Sequence, residues 1–112
     1  MEIKKVVVIG SGTMGSGIAA QLCNANIPVT LLDLKTEISE KARKRIYSSR
    51  PPLLLDKTKI NNINVGNIND DFNVIKNADW VVEAVVEKID IKHNLYEKIF
   101  KNRKVGSVVS SN

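Results

Sequence analysis

Apolar positions along this chain fall into short unbroken runs, separated by longer stretches in which apolar residues return every third or fourth place. "IKKVVVIG" is the first run: β-branched, without alternation, and closed by Gly10. A run of that kind predicts a strand buried on both faces. "TMGSGIAAQLCNAN" follows, with Met14, Ile18 and Leu22 spaced by four, which predicts a helix laying that face on a sheet. Asn24 and Asn26 suit its end, and Pro28 stops it. "IPVTLLD" is a second buried strand. "KTEISEKARKRIYSSRPP" is charged, with Ile38, Ala42 and Ile46 on one face, and predicts a more exposed helix halted by Pro51 and Pro52. "NINVGN" is a short third strand. "DDFNVIKNA" is a brief helix with Asp70 or Asp71 as cap. "ADWVVEAVVE" contains a fourth strand, "IDIKHNLYEKIFKN" a helix with Ile91, Leu95 and Ile99 at helical spacing, and "GSVVSS" a fifth strand.

Strands alternating with helices predict a parallel α/β sheet, wound on both faces in the Rossmann manner. Right-handed crossovers then give about five strands in the order 3-2-1-4-5. No internal repeat, linker or low-complexity tract interrupts the pattern, so residues 1–112 read as one domain.

The junction of the first strand and first helix is Gly10-Ser11-Gly12-Thr13-Met14-Gly15, the pattern G-x-G-x-x-G. The pattern alone is common, but here a strand precedes it and a helix follows. The first glycine permits a tight turn, the second lets a diphosphate approach the backbone, and the third lets the helix pack against the strand. Unpaired N–H groups at the helix start suit phosphate. Asp33 ends the second strand, close to the offset of about 20 residues at which an acid accepts hydrogen bonds from an adenosine ribose. A carboxylate there repels the 2′-phosphate of NADP, so the expected cofactor is NAD. The plainer reading is a glycine turn and a surface acid.

Composition bounds the alternatives. Of the 112 residues, 43% are apolar and 26% charged, ordinary for a globular chain. No stretch reaches the roughly 20 apolar residues that span a bilayer, and the N-terminus reads as a strand, so no membrane partner is expected. A lone cysteine, Cys23, allows no internal disulfide and favours a reducing, cytoplasmic setting. It reads as a small core residue. Net charge is +5 with a pI near 9.4, which suits an anionic partner without naming it. A nucleic-acid module built on the basic helix is disfavoured by the few aromatic residues and the lack of any recognition signature. No metal site is expected.

"VIGSGTMGSGIAAQLCNANIPVTLLD", "ADWVVEAVVEKIDIKHNLYEKI" and "VVSSN" together resemble the 3-hydroxyacyl-CoA dehydrogenase family. "PLLL", "VGN" and "VSSN" are most similar to the dehydrogenase region of multifunctional fatty-acid β-oxidation enzymes. The resemblance implies further cofactor contacts: Ala84 and Val85 after the fourth strand, Glu87 and Lys92, and Asn112 near the nicotinamide. A solvated helix start is the plainer reading for Glu87 and Lys92. Glu83 reads as a surface acid, His93 as a solvent-facing helix residue and Trp80 as a packing residue.

In that family "SSN" continues into Thr and a substrate-contacting Ser, then into a His–Glu pair and an Asn, with a helical domain that completes the acyl-CoA site and the dimer. Those residues are not among the 112, so the resemblance implies a cofactor-binding unit that is inactive alone. The alternatives are a cofactor-binding fragment complemented by a partner chain that carries the catalytic domain, and the NAD-binding domain of another Rossmann dehydrogenase. Lys41 and Lys44, within the basic helix, are candidates for CoA phosphates, against the plainer reading of a solvated charged face. The last strand is expected to present an open edge that frays or self-associates.

Overall fold

The structure, a computed structural model, describes residues 3–85 and 89–111. Its elements alternate as expected: β1 (Val6–Ile9), α1 (Thr13–Asn24), β2 (Val29–Asp33), α2 (Thr36–Ser48), β3 (Ile63–Asn67), β4 (Trp80–Glu83), α3 (Ile89–Asn102) and β5 (Val108–Ser111). Short 3-10 segments at Lys57–Asn62 and Phe72–Asn77 precede β3 and β4. All neighbouring strands are parallel, and the sheet order is β3-β2-β1-β4-β5, as the pattern predicts.

The unbroken apolar runs are explained by burial on both faces. Along β1, Val6 and Val8 face a core shared with α1 and α2, while Val7 and Ile9 face a second core shared with the Phe72–Asn77 turn and α3. All four are at most 2% exposed. Helices on both sides leave β1 no polar face, so alternation disappears. Among the described residues no helix is long and apolar enough to cross a membrane.

The face of α1 differs from the expectation. Met14 is 56% exposed, and Ile18 and Leu22 are only partly buried. The residues on the sheet are Gly15, Ser16, Ala19, Ala20 and Cys23. Small side chains allow the helix axis to approach β1 closely, and the larger ones are displaced to its flank. The helix ends as Asn24, Asn26 and Pro28 suggest. Asn26 adopts φ 63°, and its N–H donates to the Cys23 carbonyl at 2.9 Å while that of Ile27 donates to Leu22 at 3.0 Å. This pairing closes the helix with a left-handed residue. Cys23 is fully buried, as expected, and burial pushes its thiol up to about 11.

Two further local readings change. Asp71 stands at the start of the Phe72–Asn77 turn but does not cap it. Its Oδ2 instead accepts the Asn67 N–H at 2.8 Å, closing the loop behind β3. On α2, Ala42 and Ile46 are buried with Ser39, whereas Ile38 is 40% exposed.

Asp79 ties the amino ends of the strands together. Its Oδ2 accepts the N–H groups of Lys4 and Lys5 at 2.9 and 3.1 Å, and its Oδ1 is held by Lys104. The Lys104 hydrogen bond foremost, then the backbone N–H of Lys4, lowers the carboxyl from 3.8 to about 2. A depressed acid contributes stability that is complete above the unfolded value and lost as pH falls through the folded one. Unfolding measured against pH should therefore lose stability between about pH 4 and pH 2, and Asp79→Asn should flatten that segment. The α1 face is checked by paired variants. Met14→Ala should shift unfolding free energy by less than about 0.5 kcal/mol, while Ala19→Leu should cost about 1–3 kcal/mol by overpacking.

Candidate functional site

Parallel strands put all their carboxyl ends at one edge of the sheet, and β1 and β4 lie where the winding reverses, the usual position for a ligand crevice. A cleft of about 410 Å³ opens there. Its floor is Gly10, Ser11 and Gly12, with Asp33 and Leu34 from the end of β2 and Ala84 and Val85 from the end of β4. Ile38 and Arg45 of α2, Ile68, and Asn94, Leu95 and Lys98 of α3 complete the lining.

The three glycines have separate steric duties. Gly10 adopts φ +104°, and a Cβ there would stand 2.7 Å from the Ala84 carbonyl carbon. A Cβ on Gly15 would stand 1.8 Å from the Gly10 oxygen, so α1 can start only where it does if that side chain is absent. A Cβ on Gly12 would meet nothing within 4 Å, because that position faces the open cleft. The start of α1 carries no side-chain cap and no acid in its first turn. Its N–H groups and partial positive charge are therefore available to an anion.

Asp33 stands across from this loop and is joined to it. Its Oδ2 accepts the Ser11 N–H at 2.8 Å and the Ser11 hydroxyl at 2.5 Å, and its Oδ1 accepts the Leu34 N–H at 2.7 Å. The Ser11 carbonyl accepts from the Ser16 hydroxyl at 2.8 Å and from Arg45 Nη2 at 3.2 Å. The open backbone at Gly12 and the uncapped start of α1 thus lie in fixed relation to the Asp33 carboxylate.

The described part of the chain carries this site in a recognisable pattern. The family described as "3-hydroxyacyl-CoA dehydrogenase, NAD binding domain" matches residues 5–112. The chain belongs to that family. A Deinococcus radiodurans protein named "Probable 3-hydroxyacyl-CoA dehydrogenase" is 44% identical over 119 residues, covering 100% of this chain and 34% of that protein. A Bacillus subtilis protein of the same name is 37% identical, covering 99% of this chain and 17% of its own length. The crystal structure of (S)-3-hydroxybutyryl-CoA dehydrogenase from Ralstonia eutropha superposes with a TM-score of 0.86 at 25% identity, covering 99% of this chain and 41% of that one. The chain therefore spans well under half of each relative. It is an NAD-binding domain, and the open cradle at Gly12, the uncapped α1 and the acid at Asp33 fit NAD.

The expected site residues divide accordingly. Gly10, Ser11, Gly12, Asp33, Ala84 and Val85 line the cleft together. Gly15 is buried beneath the loop, and Thr13 and Met14 line a separate hollow with Gln21 and Trp80. Glu87 and Asn112 lie outside the described residues. Lys92 lies beside Glu83, Nζ to Oε1 3.7 Å. Lys41 and Lys44 are exposed on α2, and Lys44 lines a different hollow with Tyr47 and Lys57. His93 is exposed, as expected. Trp80 is half-buried, its Nε1–H donating to Ser110 Oγ at 2.8 Å.

Glu83 is not the surface acid the sequence suggests: it is 0% exposed. Its Oε2 accepts the Val85 N–H at 2.5 Å and its Oε1 the Ser111 hydroxyl at 3.0 Å. A charged residue at the end of a strand buried on both faces was the available signal. Arg45 was also missed as a cleft residue. It lies seven residues after Ile38, two helical turns along the same face of α2, and both line the cleft.

Two glycine variants separate steric duty in the fold from duty in the cleft. The backbone at Gly12 (φ −68°, ψ −167°) suits any residue. Gly12→Ala should leave the thermal midpoint unchanged and weaken NAD in a calorimetric titration. Gly15→Ala should instead lower the midpoint, since its Cβ meets the Gly10 oxygen.

Proposed function

We propose that residues 1–112 form the NAD-holding domain of a 3-hydroxyacyl-CoA dehydrogenase of fatty-acid β-oxidation. The diphosphate of NAD lies in the hollow at Gly12 against the start of α1, with Thr13 and Met14 contributing backbone at that start. Asp33 holds the adenosine ribose. The nicotinamide lies towards Ala84 and Val85, with Glu87, Lys92 and Asn112 assigned to that end by the family resemblance. NAD supplies the hydride acceptor for oxidation of the 3-hydroxyl. The single observation that carries the reading is that the open backbone at Gly12 and the carboxylate of Asp33 line one cleft, linked through Ser11.

Oxidation of an alcohol also needs a base for the hydroxyl proton. The ionisable side chains lining the cleft among the described residues are Asp33, Arg45 and Lys98. Asp33 already accepts three hydrogen bonds, and no histidine is among the lining residues. We assign the base to residues outside those described, on the same polypeptide or on a complementing chain. In the sheet β5 is an outer strand, with Val108 46% exposed. Among the described residues its outer edge carries no neighbouring strand, and a further strand, from the same polypeptide, a complementing chain or a second copy, would pair there. For Lys41 and Lys44 nothing favours a CoA contact over a solvated face.

Calorimetric titration with NAD tests the assignment. The 112-residue chain should bind NAD with simple one-site behaviour, and Asp33→Ala should weaken it by roughly tenfold or more, the scale of hydrogen bonds to a charged group. Equal binding by both proteins would remove Asp33 from its role. With acetoacetyl-CoA and NADH the same chain should give no enzyme-dependent loss of NADH absorbance, and turnover would refute the assignment of the base.

A further inference from the structure

Ser11 is unusual among the loop residues because every polar group it owns is committed. Its N–H and hydroxyl both donate to Asp33 Oδ2, at 2.8 and 2.5 Å. Its carbonyl accepts from Ser16 and from Arg45. The residue is 1% exposed, so its own side chain offers a ligand almost no surface. What it controls is the carboxylate beyond it.

A carboxylate free to turn about its χ2 bond can present either oxygen, or swing aside. Asp33 cannot do so without breaking several bonds, because Ser11 fixes Oδ2 twice and the Leu34 N–H fixes Oδ1. Of roughly four acceptor directions on a carboxylate, three are taken. The remaining one is on Oδ1, the oxygen that Ser11 leaves uncovered. Arg45, held against the Ser11 carbonyl, is a cation lining the same cleft. An anionic group arriving beside Asp33 therefore meets both a carboxylate that cannot retreat and a guanidinium that could receive it.

We infer that Ser11 is a positioning residue that sets the preference for NAD over NADP, by locking Asp33 into an orientation that takes a ribose hydroxyl and holds negative charge against a 2′-phosphate. This rests on the reading of the cleft given under Proposed function. Removal of the hydroxyl leaves one hydrogen bond from residue 11 to Oδ2 instead of two. The carboxylate then gains freedom to turn from a phosphate, and Arg45 is present to meet it.

The test is calorimetric titration of the native chain, Ser11→Ala and Ser11→Thr with NAD and with NADP, each protein first checked by thermal unfolding. The native chain should bind NAD and discriminate against NADP. Ser11→Ala should weaken NAD severalfold and narrow the ratio of the two dissociation constants by roughly tenfold, the scale of one hydrogen bond to a charged group. Ser11→Thr, which keeps the hydroxyl, should restore the native ratio where it folds. A merely structural role for Ser11 would weaken both ligands equally, so an unchanged ratio in folded Ser11→Ala would overturn this inference while leaving NAD binding intact. Failure of the native chain to bind NAD would sink the parent reading and this one with it.

Discussion

The site depends on how the chain leaves β1. At Gly10 the backbone must turn out of the sheet between two hydrogen-bonded neighbours. The Gly10 N–H donates to Leu32 of β2 at 2.8 Å, and the Ile9 carbonyl receives the Ala84 N–H from beyond β4 at 2.8 Å. Nothing with a side chain fits, since a Cβ would press on the Ala84 carbonyl and φ is +104°. Glycine accepts that conformation at an entropic cost that tight turns commonly carry. Because the turn is complete within so few residues, α1 starts directly over the end of β1. It aims its uncapped amino end at the cleft and must lie close enough to the sheet that Ala19, Ala20 and Cys23 form its contact face. The cradle and the small-residue helix face are two consequences of one steric constraint.

Two acids flank this turn and are treated oppositely. Asp33 follows Leu32, the residue of β2 opposite Ile9, and lies in the cleft. Glu83 is paired with Ile9 on the other side and is sealed from solvent. A buried carboxyl costs several kcal/mol unless its oxygens are satisfied. The Val85 N–H and the Ser111 hydroxyl do that, with Lys92 at 3.7 Å. Those partners come from the segment after β4, the end of β5 and the first half of α3. Glu83 thus joins three pieces of chain beside the cleft, whereas Asp33 joins the loop to the second strand and keeps one acceptor direction for a ligand.

Strand order, the two-faced burial of β1 and the loop at Gly10–Gly15 were legible because each follows from local rules: uninterrupted β-branched runs, alternation with helices, and glycines at steric choke points. The α1 face was misread because periodicity weights large apolar residues, so Met14 outranked Ala19. Close approach to a sheet selects for small volume instead. Glu83 was misread because burial of an acid depends on donors that local pattern does not reveal, here the Val85 N–H and, 28 residues away, the Ser111 hydroxyl. Arg45 was missed for a similar reason: nothing in a charged helix distinguishes a guanidinium that reaches a backbone carbonyl 34 residues away from one in solvent.

Why the cofactor cleft can be held without the rest of the chemistry proposed for it follows from where its bonds run. The loop is held by β2 through Leu32 and Asp33, by β4 through Ala84, and by α2 through Arg45. Of these, Leu32 belongs to the core that packs against α3, while Asp33, Ala84 and Arg45 line the cleft itself. No described contact of the Gly10–Gly12 floor requires a residue beyond Val85, so dinucleotide binding, as proposed, is preorganised by the first four strands. Under the proposed function the base comes from residues outside those described, so the bonds that hold the cradle do not depend on it. On that proposal cofactor affinity, fixed by steric fit around β1, should be separable from catalytic competence.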